Sequence, residues 1–394
     1  MKVLFNVQSL LPPRTGIGLY TQHLIEALAA TGELDAVAGF LGGGIYRGEA
    51  LHAYVNEDRS AHAAPALSAQ GRLAALKVAI RGVPGAYAMR QAVREWLGKR
   101  NVSEMARQSY IYHEPSYIPV RYAGPVVITA HDLSHVRYPQ FHPAERVAFL
   151  DKHLASALAR ADRVVTDSHF VAGELAEVYG IPAGKLFVTH LGADAAFRVR
   201  SSEEVAETLR AFGLRYRGFV LSVATLEPRK NVERLVAAYA DLPAATRQAC
   251  PLVLVGGGGW RDSTLLSRVR ELEAKDEVIR TGYLPRSQVV DLYSAAAVFA
   301  YPSLYEGFGL PVLEGFASGT PVLTSNVTSL PEVSAGAALE VDPLSTEAIR
   351  EGLYRLLDDA QFARQHAERG LERAKAFSWE NCAQQTLAVY RSLA

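Results

Sequence analysis

Short apolar runs rich in Val, Ile and Leu alternate along this chain with longer stretches of helical periodicity. Six runs in the first half read as strands: Lys2–Val7, Ala36–Phe40, Ser109–His113, Val126–Thr129, Arg163–Thr166 and Leu186–His190. Six more follow: Phe219–Val223, Leu252–Val255, Val278–Thr281, Val298–Tyr301, Val322–Thr324 and Ala338–Val341. Continuous apolar runs bounded by Gly and Pro are the pattern of parallel strands buried on both faces. Parallel pairing requires crossover connections, and the intervening helices supply them. The pattern predicts an α/β fold with doubly wound parallel sheets.

Twelve strands are many for one open sheet, so two sheets are expected. The break falls between Leu191–Asp194 and Gly218–Val220, an interval that holds a charged helical segment, Ser201–Phe212, and no strand. The expected domains are therefore 1–197 and 198–376, with a terminal helical segment over 377–394. Residues 42–70, with Gly42-Gly43-Gly44 and His62-Ala63-Ala64-Pro65, read as an irregular insertion.

Charge narrows the function classes. The 394 residues carry 41 Lys+Arg against 41 Asp+Glu, which argues against a nucleic-acid or polyanion binder. Residues 1–200 hold 21 basic against 17 acidic groups, and residues 201–394 hold 20 against 24. The first-half surplus is local to Gly71–Gln108, where eight Lys/Arg meet only Glu95 and Glu104 and interleave with Leu73, Val93, Trp96 and Leu97. Such a segment can lie as a basic amphipathic helix on an anionic membrane surface. The plainer reading is a surface helix whose apolar side faces its own core. Two cysteines, Cys250 and Cys382, point to a reducing compartment without a Cys-based zinc site. The N-terminus lacks the long apolar core of a signal peptide, and no run of about 18 apolar residues offers a membrane span. A cytoplasmic location is expected, with peripheral attachment to the inner membrane face resting on 71–108 alone.

Candidate chemistry concentrates at strand ends. The strand Val298–Tyr301 runs into Pro302-Ser303-Leu304-Tyr305-Glu306-Gly307-Phe308-Gly309, followed by a helical stretch from Leu310 with Pro311 in its first turn and Glu314 one turn in. A Gly-bearing loop opening onto a helix N-terminus can cradle a diphosphate with free N–H groups and the positive end of the dipole. After Phe219–Val223 come Thr225-Leu226-Glu227-Pro228-Arg229-Lys230-Asn231. Adjacent Arg and Lys at the carboxyl end of a parallel strand occupy the crevice where open α/β sheets bind ligands, a bidentate fork beside a movable point charge. Gly256 opens a glycine turn after Leu252–Val255, without the G-x-G-x-x-G spacing of a dinucleotide site. No D-x-D pair, the usual carrier of a divalent ion in metal-dependent transferases, occurs in the sequence.

Glu306 and Glu314 in E-x7-E spacing, together with four further segments, resemble the retaining glycosyltransferases of family 4. These segments, in chain order, are Thr15–Tyr20, Thr129–Ser134, Thr225–Asn231 and Gly282-Tyr283-Leu284. The resemblance covers nearly the whole chain and is nearest to bacterial mannosyltransferases of polysaccharide assembly. It implies the GT-B fold, two Rossmann-like domains facing a central cleft, with the terminal helix crossing back to the first. It implies that Arg229 and Lys230 hold a donor diphosphate, that Glu306 contacts the donor sugar and Glu314 the nucleotide ribose. The backbone around Phe308, Gly309 and Leu310 would hold sugar and phosphate, and Gly256, Tyr283 and Leu284 would complete the nucleotide side. His131 would touch the sugar or the reacting centre, and Gly16 and Gly18 would form a loop that approaches donor and acceptor closely. The expected reaction moves a hexose, mannose from GDP-mannose above GDP-rhamnose or UDP-sugars, to a saccharide or lipid-linked saccharide. No cofactor and no metal are expected. Two alternatives remain: an epimerase or hydrolase of the same fold, and a non-catalytic sugar-nucleotide-binding subunit.

Overall fold

The computed structural model describes residues 1–11, 16–42, 44–56, 89, 100–225, 227–257 and 263–393. The chain divides into two compact units, Met1–His190 with Trp379–Ala394, and Leu191–Ser378. Most of the basic 71–108 stretch lies outside the described residues; of it, residues 100–107 are helical.

The first unit contains β1 (Lys2–Asn6), β2 (Ala36–Leu41), β3 (Gly44–Arg47), β4 (Tyr110–Glu114), β5 (Val126–Thr129), β6 (Arg163–Thr166) and β7 (Leu186–Val188). They lie side by side in the order β3-β2-β1-β4-β5-β6-β7. Every pair is parallel except β2–β3. The first helices of this unit include α1 (Gly16–Ala30), α2 (Gly48–Asn56), α3 (Ala144–Arg160) and α4 (His169–Tyr179). Leu4, Phe40, Tyr112, Ile128, Leu154, Val164 and Val171 share one buried core. The chain order reverses between β1 and β4, so this unit has its switch point there.

The second unit is a wholly parallel sheet of β8 (Val220–Val223), β9 (Leu252–Val255), β10 (Val278–Gly282), β11 (Val298–Tyr301), β12 (Val322–Ser325) and β13 (Leu339–Val341). The order is β10-β9-β8-β11-β12-β13, with the switch point between β8 and β11. Its helices include α5 (Val232–Ala240), α6 (Arg286–Ala295), α7 (Leu310–Ala317), α8 (Thr346–Asp358) and α9 (Ala360–Ala374). Val220, Leu235, Leu252, Val298, Leu323 and Leu353 form its core.

The terminal helix α10 (Trp379–Arg391) belongs to the first unit and packs on α1. Trp379 stacks on His23 with centroids 4.9 Å apart. Inside, Tyr390 OH meets His113 Nδ1 at 2.5 Å, His113 Nε2 meets Thr129 Oγ1 at 2.7 Å, and Thr129 Oγ1 meets Tyr20 OH at 2.9 Å. Buried polar groups keep their places only when partnered, so this chain of bonds fixes the helix in one register.

All twelve expected strands are present, with ends shifted by at most two residues. Two expectations are overturned. Residues 44–56 are not irregular: Leu41 pairs Gly44 in an antiparallel hairpin, followed by α2, while residues 57–70 of the expected insertion lie outside the described residues. A glycine run between two apolar runs signals a tight reversal as readily as a mobile insertion, and the antiparallel edge strand was hidden by its four-residue length. Gly16 and Gly18 do not form a loop either. They lie in the first turn of α1. Burial of Tyr20 and Thr21 and the bond from Thr21 Oγ1 to Ile17 O (2.8 Å) hold that turn despite glycine's poor helix propensity.

Candidate active site

The switch point of the second unit gathers Arg229 and Lys230, from the loop after β8, with Glu306, from the loop after β11. Lys230 Nζ lies 2.7 Å from Glu306 Oε1, and Arg229 Nη1 lies 3.2 Å from Glu306 Oε2. Arg229 also donates through Nε to Glu227 Oε2 (2.9 Å) and through Nη1 to Tyr305 O (3.3 Å). Residues more than 70 positions apart meet because β8 and β11 are hydrogen-bonded neighbours.

Backbone and small polar side chains lock the two loops together. Leu304 N–H donates to Arg229 O at 2.7 Å, and Ser303 Oγ lies 3.0 Å from the same carbonyl oxygen. Buried Asn231, in the left-handed region at φ 59°, donates to Pro302 O (2.9 Å) and Pro343 O (2.7 Å). Asparagine tolerates that conformation better than most residues with a Cβ. Ser329 Oγ lies 2.9 Å from Glu306 O and 2.8 Å from Phe308 O, its one proton shared between the two carbonyls.

Burial alone would raise the Glu306 pKa, but the adjacent Lys230 and Arg229 cations hold its carboxyl down at about 2. Burial lowers the Lys230 pKa below that of a free lysine, with Glu306 opposing the shift. Glu306 is therefore a carboxylate at neutral pH and unsuited to deliver a proton.

Gly309 caps α7 at φ 119°, and a Cβ there would stand 2.8 Å from Leu330 Cδ2. Only glycine suits this corner. In the helix it opens, Val312 and Leu313 N–H donate to Gly309 O (2.9 and 3.3 Å) and Pro311 has no donor to lose, so the helix's own offer narrows to the N–H of Leu310. Phe308 turns its ring inward against Phe377, so its backbone rather than its side chain is what the corner can offer. Leu310 is the first residue of the helix.

Glu314 is half-buried one turn into α7. With burial, its charge raises the pKa of Tyr293 on α6. The two glutamates of the E-x7-E pair thus sit in different surroundings, one among cations and the other beside a phenol.

On the other side of β8, Gly256 approaches so closely that a Cβ would stand 1.9 Å from Ala224 O. Tyr283 is 74% exposed, and its Cβ lies 3.9 Å from where a Cβ on Gly257 would be. An exposed ring beside a glycine turn is a platform for a flat aromatic ligand. Leu284 is buried, so its side chain serves the core.

In the first unit, His131 follows β5. Its Nδ1 lies 2.7 Å from Asp167 Oδ2 and its Nε2 lies 3.0 Å from Pro115 O. Both partners are acceptors, so both ring nitrogens are placed to donate and the imidazolium form fits the site. Burial works against that charge, yet the Asp167 carboxylate prevails and the His131 pKa is raised. Tyr20 closes the ring edge-on at 4.7 Å. His113, one chain of bonds away, is fully buried without an acidic partner, and burial drops its pKa to about 3.

Among described residues that the sequence reading left without a role, Tyr301 OH donates to Glu306 Oε1 (2.7 Å) and accepts from Lys230 Nζ (2.6 Å). Ser303 Oγ donates to the same oxygen at 2.6 Å. Their signal was position alone: both lie within five residues of Glu306 in a motif already singled out.

These geometries agree with what related chains are. Residues 14–197 match the family model described as Glycosyltransferase Family 4, and residues 211–373 match that described as Glycosyl transferases group 1. The chain is 36% identical over 397 aligned residues to O-antigen chain mannosyltransferase B of Escherichia coli, covering 100% of both chains. The chain belongs to glycosyltransferase family 4. This glycosyltransferase is also 33% identical over 229 residues to the serotype-specific mannosyltransferase WbdA of Escherichia coli, covering 57% of the chain and 28% of that larger protein. In fold it is similar to the crystal structure of Anabaena Alr3699/HepE in complex with UDP-glucose, with a TM-score of 0.70 at 17% identity and full coverage of both chains. The two parallel-sheet units are the Rossmann-like domains of the GT-B fold. Among the described residues, no helix is long and apolar enough to cross a membrane.

Proposed function

We propose that this glycosyltransferase moves mannose from GDP-mannose, with retention of anomeric configuration and without a metal ion, to a saccharide or lipid-linked saccharide in O-antigen-type polysaccharide assembly. The observation that carries the reading is the Arg229–Lys230–Glu306 cluster at the switch point of the second unit. The full-length likeness to an O-antigen mannosyltransferase supports mannose as the sugar.

A leaving nucleoside diphosphate gains negative charge as the glycosidic bond breaks, and two fixed cations stabilise that charge more than the ground state. Arg229 and Lys230 supply both cations on one loop. Positive charge already in place would do the work a divalent ion does in metal-dependent transferases. Leu310 N–H, at the start of α7, offers a donor to the same phosphates or to sugar hydroxyls. Glu306, held as a carboxylate, suits hydroxyl groups of the donor sugar rather than proton delivery. The leaving diphosphate then accepts the acceptor's proton on the face it departs from. Tyr283 stacks on the nucleotide base, and Glu314 takes the ribose hydroxyls. His131, with both nitrogens donating, acts as a pinned positive group and not as the base.

The test is turnover of GDP-mannose with an oligomannose acceptor, in the presence of a chelator, with the product's anomeric configuration read by NMR. An α-linked product at undiminished rate with chelator is expected. A β-linked product or loss of the rate on chelation would overturn retention or metal independence respectively. Lys230→Ala should abolish transfer while leaving the melting temperature within a few degrees.

A further inference from the structure

Three groups crowd one oxygen of Glu306. Lys230 Nζ stands at 2.7 Å, Tyr301 OH at 2.7 Å and Ser303 Oγ at 2.6 Å. Tyr301 alone touches both charged partners, because its hydroxyl also receives the Lys230 ammonium at 2.6 Å. The ammonium lies 5.2 Å from the centre of the Tyr301 ring as well. Tyr301 ends β11, is 1% exposed, and stacks on Phe299 at 5.9 Å between centroids. Its hydroxyl has one place to be.

A lysine side chain has four rotatable bonds and carries a point charge that can swing. A single ion pair to Glu306 fixes the distance of that charge but leaves its direction loose. Two acceptors, Tyr301 Oη and Glu306 Oε1, fix two of the three ammonium protons and so aim the third. Effects of positioning on rate are steep, since transition-state stabilisation depends on groups already in place.

We propose that Tyr301 is a positioning residue for Lys230: its hydroxyl holds the ammonium in one direction, so that a donor diphosphate meets a fixed cation. The inference rests on the transfer reading above. Tyr301 touches no reacting atom and acts through Lys230. The charged and titratable groups around that ammonium are Glu306, Arg229, Glu227 and Tyr301 itself. Three of these keep their charge when the phenol is removed. Loss of a hydrogen bond accepted from the ammonium therefore disfavours its charged form, with the remaining surroundings unchanged.

The experiment compares wild type and Tyr301→Phe in steady-state mannosyl transfer from GDP-mannose, from neutral to alkaline pH, with melting temperatures measured alongside. Phenylalanine keeps the ring and its packing. We expect kcat to fall about tenfold or more, as for a lost hydrogen bond to a charged group. The donor KM should change by less than about threefold, because the cation remains, and the alkaline limb should move to lower pH. A purely structural role would lower the melting temperature and leave that limb in place. Unchanged kcat with an unchanged alkaline limb would overturn the inference. If Tyr301→Phe melts well below wild type, the profiles of both proteins are taken at a temperature where the variant is fully folded. The alkaline limb must again move down, and an unmoved limb overturns the inference. Wild type that transfers no sugar would fail the transfer reading itself, and the inference with it. Active wild type with an indifferent Tyr301→Phe fails the inference alone.

Discussion

Glu114 ends β4 and Glu306 follows β11, so each unit buries a carboxylate where its chain order reverses. Among the described residues, Glu114 is met by neutral donors: Asn6 Nδ2 at 2.9 and 2.8 Å to its two oxygens, Tyr112 OH at 2.9 Å, and Ser116 through N–H at 3.2 Å and Oγ at 2.7 Å. Glu306 is met by two cations and two hydroxyls. The first arrangement ties β1 to β4 and shapes the turn leading to Tyr117, held at φ 72°. The second keeps paired positive charge concentrated at a loop corner. The same topological position has become a brace in one unit and a charged site in the other, and the difference lies in what the neighbouring strand's loop delivers.

That contrast can be broken most sharply by the same substitution at both places. Glu306→Gln should lower kcat/KM for transfer by at least about a hundredfold, the scale of losing a preorganised charge partner, and should also lower the melting temperature, because it leaves two partly or fully buried cations without their counter-charge. Glu114→Gln should cost stability without that kinetic loss. It turns one oxygen into a donor facing the amide of Asn6, costing about 1–3 kcal/mol of stability, while kcat of the folded enzyme stays within a few-fold of wild type. Equal kinetic damage from both would end the distinction.

A histidine NMR titration tests the same contrast between neutral and ionic satisfaction inside the first unit. His113, buried among hydroxyls, should stay neutral from 6.5 down to about 3. The unfolded chain binds that proton below 6.5, so on its own this residue contributes stability present above 6.5 and lost as pH falls toward 3. His131 has the opposite sign. Its folded pKa is raised, so its contribution is full below 6.5 and is lost as pH rises through the folded value. A His113 ring that protonates near 6.5, or a His131 ring that is neutral there, would contradict the contacts described.

The smallest effect is expected at Glu227. It holds the other side of Arg229 at 2.9 Å, but its side chain is 45% exposed. Solvent-screened pairs contribute about 0–1 kcal/mol. Glu227→Gln should therefore change the donor KM by less than about threefold. A loss approaching that of Glu306→Gln would mean that burial is not what separates the two carboxylates.

Much of this was legible along the chain. Parallel strands buried on both faces announce themselves as apolar runs, and twelve of the thirteen strands among the described residues were readable. The missed one, Gly44–Arg47, is an exposed edge strand of four residues, too short to show a period. Arg229, Lys230 and Glu306 were readable because charged residues directly after apolar strands have few structural reasons to be there. Gly16 and Gly18 were misread because glycine suggests a loop, whereas buried Tyr20 and Thr21 hold the helix around them. Glu114 raised no signal, since a polar residue closing a strand is ordinary in sequence, and Tyr301 had only its position near Glu306.

The sequence by itself determined the alternation of elements, the two-sheet division, the basic pair and the glycine corner, because each depends on neighbours within a few positions. Only the tertiary structure decided which carboxylate meets cations and which meets amides and hydroxyls. The two cations lie 76 and 77 positions from Glu306 and the Asn6 amide 108 from Glu114, and strand order brings them together. It also decided that His131 is pinned through both nitrogens while His113 is kept neutral. Protonation state follows from burial and from the charge of the nearest group, and neither is written in the local sequence.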